Sequence, residues 1–315
     1  MRKLSSLFLL SLLMQGVLIG LADADSNSAR REGRSFKEAH ADFFHLFFAE
    51  RTDLRVGYLY EMDAKGGSNA PEYQLHNAFV DGLFQAQVST DSFVSIGTTV
   101  DARRYDFSQG SNLNFDSEDL YKVSLKPGFG TFINDDFLFW AQLELGSYSD
   151  LDRGPIEAEN YQALGNIQFV YRLNPGAQLL AGVSYSNTYL EQKLLPFVGI
   201  RLMSDTGAFQ LAVDLPFNAR AGYYLNPHIE TFAQIVAKGD RYRVRMNDQD
   251  FNVGVHDERA GIGIRFWLGS QVSLTFEGGR TLNSQFKFYT DTPQLYYDGD
   301  IDPHWFAQSY LGIAF

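Results

Sequence analysis

The chain has no cysteine, only 9 prolines, and 26 Lys and Arg against 38 Asp and Glu in its 315 residues. Without cysteine there is no disulfide scaffold, thiolate metal site, thiol nucleophile or lipoprotein acylation site. A net charge of -12 repels a phosphate backbone, so sequence-independent nucleic-acid binding has nothing to drive it. Beyond residue 24 no stretch approaches the ~20 continuous apolar residues of a membrane-spanning helix, which excludes an α-helical membrane protein. With so little proline and 15% aromatic residues, disorder is also excluded.

What is present begins with an export signal. Arg2 and Lys3 open the chain, an apolar run extends from Leu7 to Leu21, and Ala22-Asp23-Ala24 supplies an A-x-A cleavage site. Residues 1–24 therefore read as a signal peptide, 25–52 as a periplasmic leader and 53–315 as the folded unit. Within the leader, Phe36, Ala39, Phe43, Phe44, Phe47 and Phe48 recur at helical spacing, consistent with an amphipathic helix or an extra strand.

From residue 53 onward the sequence alternates with period two. Val94, Ile96, Thr98, Val100 and Ala102 oppose Ser95, Gly97, Thr99, Asp101 and Arg103; Ala260, Ile262, Ile264, Phe266 and Leu268 oppose Arg259, Gly261, Gly263, Arg265 and Trp267. Short links (89–91, 133–136, 174–176, 204–206, 226–227, 269–270) take turns with long ones (63–73, 105–119, 150–160, 239–257, 282–303). Tight turns on one side and long polar loops on the other predict an all-β fold: a transmembrane antiparallel up-and-down β-barrel of the bacterial outer membrane. The segments number about fourteen, or twelve if FQLAVDLP and FNARAGYYL, which meet near Pro216, form one bent strand.

The last residues, QSYLGIAF, place Leu311, Ile313 and Phe315 on one face. They resemble the C-terminal insertion signal of outer-membrane barrels, departing from it at Tyr310 where glycine is usual. The stretch from Leu194 to Phe288, with its spaced Pro, Gly and aromatic residues and the FEGGR at 276–280, resembles a family of outer-membrane β-barrels of unknown function. The resemblance implies a barrel and no activity.

By parity the inward face carries Arg55, Arg103, Lys122, Lys126, Arg172, Arg201, Arg220, Lys238, Arg259 and Arg265, opposed by Glu61, Asp81, Asp101, Glu144, Asp214, Glu230 and Glu277. Two readings follow. Either these charges pair across neighbouring strands, as Lys126 with Glu144, and pack the interior, or the basic surplus lines a porin-like passive channel for small hydrophilic solutes with a weak anion preference. The first leaves a non-conducting structural or surface-interaction barrel.

Glycines such as Gly97, Gly128 and Gly263 spare inward volume, while Phe79, Leu83, Trp140, Phe232 and Trp267 occupy it. His76, His256 and His304 fall near the outer rim, but His76 and His256 take the lipid-facing register and His304 the inward one, so they do not converge. No catalytic motif is present and the chain does not read as an enzyme. Asp298, Asp300 and Asp302 are weak cation ligands without the remaining EF-hand positions; no metal site or cofactor is expected. The expected partners are outer-membrane lipid and lipopolysaccharide, periplasmic chaperones and the barrel assembly machinery, and small solutes.

Overall fold

The computed structural model describes residues 54–65, 72–107, 117–151, 160–186, 193–216, 218–246, 249–290 and 295–314. The segments read from the sequence as signal peptide and leader, and Phe315, lie outside these residues. The strands are β1 (Leu54–Ala64), β2 (Tyr73–Gln87), β3 (Ser92–Phe107), β4 (Ser117–Asn134), β5 (Phe137–Ser149), β6 (Tyr161–Asn174), β7 (Ala177–Ser186) and β8 (Lys193–Met203). They continue as β9 (Phe209–Leu215), β10 (Asn218–Asn226), β11 (Ile229–Met246), β12 (Gln249–Leu268), β13 (Val272–Thr290), β14 (Leu295–Ile301) and β15 (Trp305–Ile313).

Each strand from β1 to β13 pairs antiparallel with the next, β13 pairs with β15, and β15 pairs with β1, which closes a ring of fourteen strands. Closure leaves the ring of fourteen without a free edge, the condition for putting a sheet in hydrocarbon. The fifteenth strand, β14, stands outside the ring: it pairs with β13 alone, from Ser284 to Tyr289, beyond the part of β13 that pairs with β15. FQLAVDLP and FNARAGYYL form the separate strands β9 and β10, registered from Asp214 opposite Asn218 to Phe209 opposite Tyr223, so the count of twelve does not apply.

Alternation puts Leu125, Phe129, Leu143, Ile167, Phe169, Val198, Ile235, Ile262 and Trp305 on the outside, all exposed. An apolar belt of this size around a closed barrel has no stable home in water and fits the outer membrane.

The structure corrects two of the long loops. Residues 239–257 are mostly wall: β11 runs to Met246 and β12 starts at Gln249. Residues 282–303 are the upper half of β13 together with β14. The reason is an inversion of polarity within single strands. In the lower half of β11, Ala233 and Ile235 face out while Glu230, Gln234 and Lys238 face in; in the upper half, Tyr242 and Val244 are buried inside and Arg241, Arg243 and Arg245 take the other face. The period of two persists, but beyond the lipid belt the outside is polar, and such a stretch reads as loop to a search for an apolar outer face.

These tall strands bend over the loop end of the barrel. β11 reaches β5, where Arg243 pairs in parallel with Ser149. There the Asp150 amide donates to the Arg243 carbonyl at 3.2 Å and the Arg245 amide to Asp150 Oδ2 at 2.5 Å. Gln162 Nε2 also donates to the Arg241 carbonyl. Under this seam Tyr73, Tyr105, Tyr148, Tyr242, Phe251, Phe286 and Phe288 pack into one buried core with Leu59, Leu75 and Phe306. The loop end is thus capped by a hydrophobic core of the kind found in soluble proteins.

Candidate functional site

The interior of the barrel gathers most of the close ion pairs among the described residues. The strand registers place Arg55, Asp81, Asp101, Arg103, Lys122, Lys126, Glu144, Arg172, Arg201, Asp214, Arg220, Glu230, Arg259, Arg265 and Glu277 on one face, that of the interior. The period-two rule, which sends alternate side chains to opposite faces, fixes this once one strand is oriented.

At the loop end, directly beneath the cap, Asp240 reaches across the lumen. Arg103 Nη2 donates to its Oδ2 at 2.7 Å and Lys122 Nζ to its Oδ1 at 3.1 Å, tying β11 to β3 and β4. Arg103 also holds Asp101 at 3.0 Å, and Lys122 holds Glu144 at 3.2 Å. Beside this network Glu61, fully buried, takes Arg259 Nη2 at 2.6 Å and stands 3.0 Å from His304 Nε2; Arg259 also meets Asp257 at 3.0 Å.

The middle of the lumen is more open. Arg55 and Asp81 meet at 3.4 Å with side chains 43% and 30% exposed, and Thr99 Oγ1 donates to Asp81 at 2.7 Å. Lys126 lies 3.7 Å from Glu144, the cross-strand pair expected from the β4–β5 turn. Arg201 forms a bidentate pair with Asp214 at 2.7 and 2.6 Å. Lys238 is exposed here and makes no ion pair among the described residues.

Toward the turn end Glu230 bridges Arg220 at 2.6 Å and Arg265 at 3.1 Å, and Arg265 also donates to Thr275 Oγ1 and Tyr310 OH, each at 3.2 Å. The Arg220 guanidinium stacks 4.4 Å from the Phe232 ring, and Gln234 donates to both oxygens of Glu277 at 2.8 Å. Arg172 pairs with Asp136 at the turn, 2.9 Å away. A second apolar cluster, Phe93, Phe132, Leu138, Trp140, Val170 and Leu180, fills the turn end on the β3 to β7 side. The interior is therefore a ladder of paired charges between two apolar layers.

Two inward carboxylates escaped the sequence reading, Asp240 and Asp257, because both stand in the stretch that resembled a loop. They narrow the basic surplus inferred for the lumen. The signal that locates them is the inverted alternation of Arg241, Tyr242, Arg243, Val244 and Arg245, which extends the strand past the belt.

The histidines separate as their parity requires. His76 sits on the outer face with Tyr58 OH 2.5 Å from its Nδ1, His256 lies on the outer face 3.4 Å from Glu258, and His304 is buried against Glu61. Asp300 accepts from Gln285 Nε2 at 2.8 Å; the side chain of Asp298 lies outside the described residues, and no cluster of three metal-ligating side chains occurs among the described residues. Leu311 and Ile313 take the outward register of β15, whereas Tyr310 turns inward to Arg265.

The architecture is similar to that of an outer membrane channel from Pseudomonas putida F1, at 10% identity over 84% of this chain and 96% of that chain, with a TM-score of 0.43. It is similar also to the Pseudomonas putida toluene transporter TodX (10% identity, 83% and 89% covered, TM-score 0.41) and to a Pseudomonas aeruginosa FadL homologue (12% identity, 82% and 89% covered, TM-score 0.40). No curated protein matches this chain. Residues 91–315, well over half of the sequence, match the family described as a domain of unknown function, DUF6268, and the chain belongs to that family.

Proposed function

We propose that this outer-membrane barrel is a narrow passive channel for small hydrophilic solutes, closed at rest by the cap of β11 to β14 and weakly selective for anions. The observation that carries the reading is Lys238: this lysine on the inward face stands in the field of Asp81 and Asp101 yet closes no ion pair with either among the described residues, which leaves room beside it for water or a mobile anion. Arg55, 43% exposed on the same inner face, supports the same wet compartment. In the middle of the lumen Arg55, Lys126, Arg201 and Lys238 stand against Asp81, Asp214 and Glu144, an excess of one positive charge.

The alternative, a non-conducting structural barrel, is favoured by the apolar core at the loop end, where no water-filled path is needed for stability. Planar-bilayer recording of the purified protein separates the two, with Lys238→Glu as the informative variant. The channel reading expects rare openings whose reversal potential lies toward the anion in the native protein and shifts toward the cation in Lys238→Glu. Silence in the native protein, and also after the cap is loosened by Asp240→Asn, would leave the structural barrel.

A further inference from the structure

The outer wall is not uniformly convex. Across β9 to β13, β15 and β1 it is indented, forming two overlapping outer grooves of about 1000 and 900 Å³ that share Ala221, Ala233, Ile262 and Gly278. Their floor is small because alanine or glycine occupies the outward positions 219, 221, 233, 260, 278 and 307. Phe209 and Leu211 stand along one bank, Tyr58, Tyr60 and Trp305 along the other.

Behind this floor the inward positions 279 and 263 admit no side chain. A Cβ on Gly279 would stand 2.1 Å from the Ala260 carbonyl oxygen, and one on Gly263 would stand 2.3 Å from the Phe232 ring. The groove lies within the apolar belt, so its natural filling is hydrocarbon.

At the loop end of the groove stands Arg280. This arginine points outward beside its register partner Trp305, is exposed, and its only hydrogen bond among the described residues is from Nη2 to the Pro303 carbonyl at 3.2 Å. No ion pair of Arg280 occurs among the described residues, and the outer-face acid Glu258 lies 3.4 Å from His256 Nε2. A guanidinium at the upper edge of an apolar groove, at the level where outer-leaflet headgroups begin, matches a phosphate above acyl chains.

We propose that this groove binds one molecule of lipid A, the phosphorylated anchor of lipopolysaccharide, with acyl chains on the Ala221 to Ala307 floor and a phosphate at Arg280. Acyl chains fill the indentation that a rigid partner would have to match in shape, and the phosphate supplies the charge opposite Arg280. Binding is independent of conduction.

The protein carries its own probe. Of its three tryptophans, Trp140 and Trp267 face inward and Trp305 faces the lipid, 62% exposed. In vesicles of phosphatidylcholine brominated on the acyl chains, Trp305 is quenched, and Trp305→Phe should remove nearly all the quenching. Added unbrominated lipid A should relieve the quenching with a relative affinity about fivefold above phosphatidylcholine, the factor corresponding to roughly 1 kcal/mol for one basic residue at the headgroup level. Arg280→Gln, an exposed substitution that leaves the wall intact, should bring that ratio to about one, and Ala307→Leu should reduce it with Arg280 in place. A ratio near one in the native protein, or equal relief in native and Arg280→Gln proteins, would overturn the proposal. So would quenching that falls with protein density as the barrel cross-links to itself through the groove, which would make a second copy the occupant.

Discussion

If Asp240 is the clasp of the cap, Asp240→Asn should open it. In the native protein this side chain, 9% exposed, receives Arg103 at 2.7 Å and Lys122 at 3.1 Å from the opposite wall. Removing one member of a buried ion pair commonly costs about 3–5 kcal/mol, most of it from the charge left behind. Here the stranded cations are not alone, since Arg103 keeps Asp101 at 3.0 Å and Lys122 keeps Glu144 at 3.2 Å. Asparagine also retains an acceptor oxygen. The loss attributable to the clasp is therefore about 2 kcal/mol, which at 1.4 kcal/mol per decade raises the opening equilibrium roughly thirtyfold.

Amide exchange reads this directly, because the Asp150 amide donates to the Arg243 carbonyl and the Arg245 amide to Asp150 Oδ2 at the seam between β11 and β5. Both should exchange about thirtyfold faster in the variant, and channel open probability should rise by a comparable factor. Asp214→Asn is the control: it breaks an equally close pair with Arg201 but lies away from the cap. Unchanged exchange at Asp150 and Arg245, or the same acceleration in the control, would refute the clasp.

Two further outcomes test the barrel itself. Glu230→Gln leaves Arg220 and Arg265 buried with no shared carboxylate, so the variant should lose about 3–5 kcal/mol and unfold at a lower temperature in the gel-shift assay that separates folded from boiled barrel; unaltered melting would show that the bridge contributes nothing. Phe315→Asp, or deletion of Phe315, should block membrane insertion without affecting export, with the protein found in the periplasm or degraded; normal insertion of both would show that the C-terminal aromatic is not read.

Much of this was legible in the sequence, for a physical reason. Inside the belt the two faces of a strand meet lipid and lumen, media so different that Val94 to Ala102 or Ala260 to Leu268 declare their orientation residue by residue, and parity then assigns Arg55 or Arg265 inward. Outside the belt both media are aqueous, and the apolar face is whichever one the protein chooses to bury. Arg241 to Arg245 chose the inside, so the same alternation carried the opposite meaning and the cap was read as loop. Pair partners such as Asp240 with Arg103 depend on a strand crossing the lumen, which spacing along the chain does not encode. Lys126 with Glu144 was legible because one hairpin brings them together.

The cap also imposes an order on assembly. Its core draws on β1 to β5 and on β11 to β15, and the contact between Glu61 and His304 joins residues 243 positions apart. Contacts of such long range form late, since the chain between them must first be placed. No part of the cap can be completed from the first half of the chain, and a barrel stalled before β15 pairs with β1 would present Tyr73, Tyr105 and Phe286 without their neighbours. The buried tyrosines of the loop end are thus a record of finished closure: a periplasmic or membrane protease that cleaves exposed aromatic segments would discriminate completed barrels from stalled ones at this surface, before any difference in the belt could be sensed.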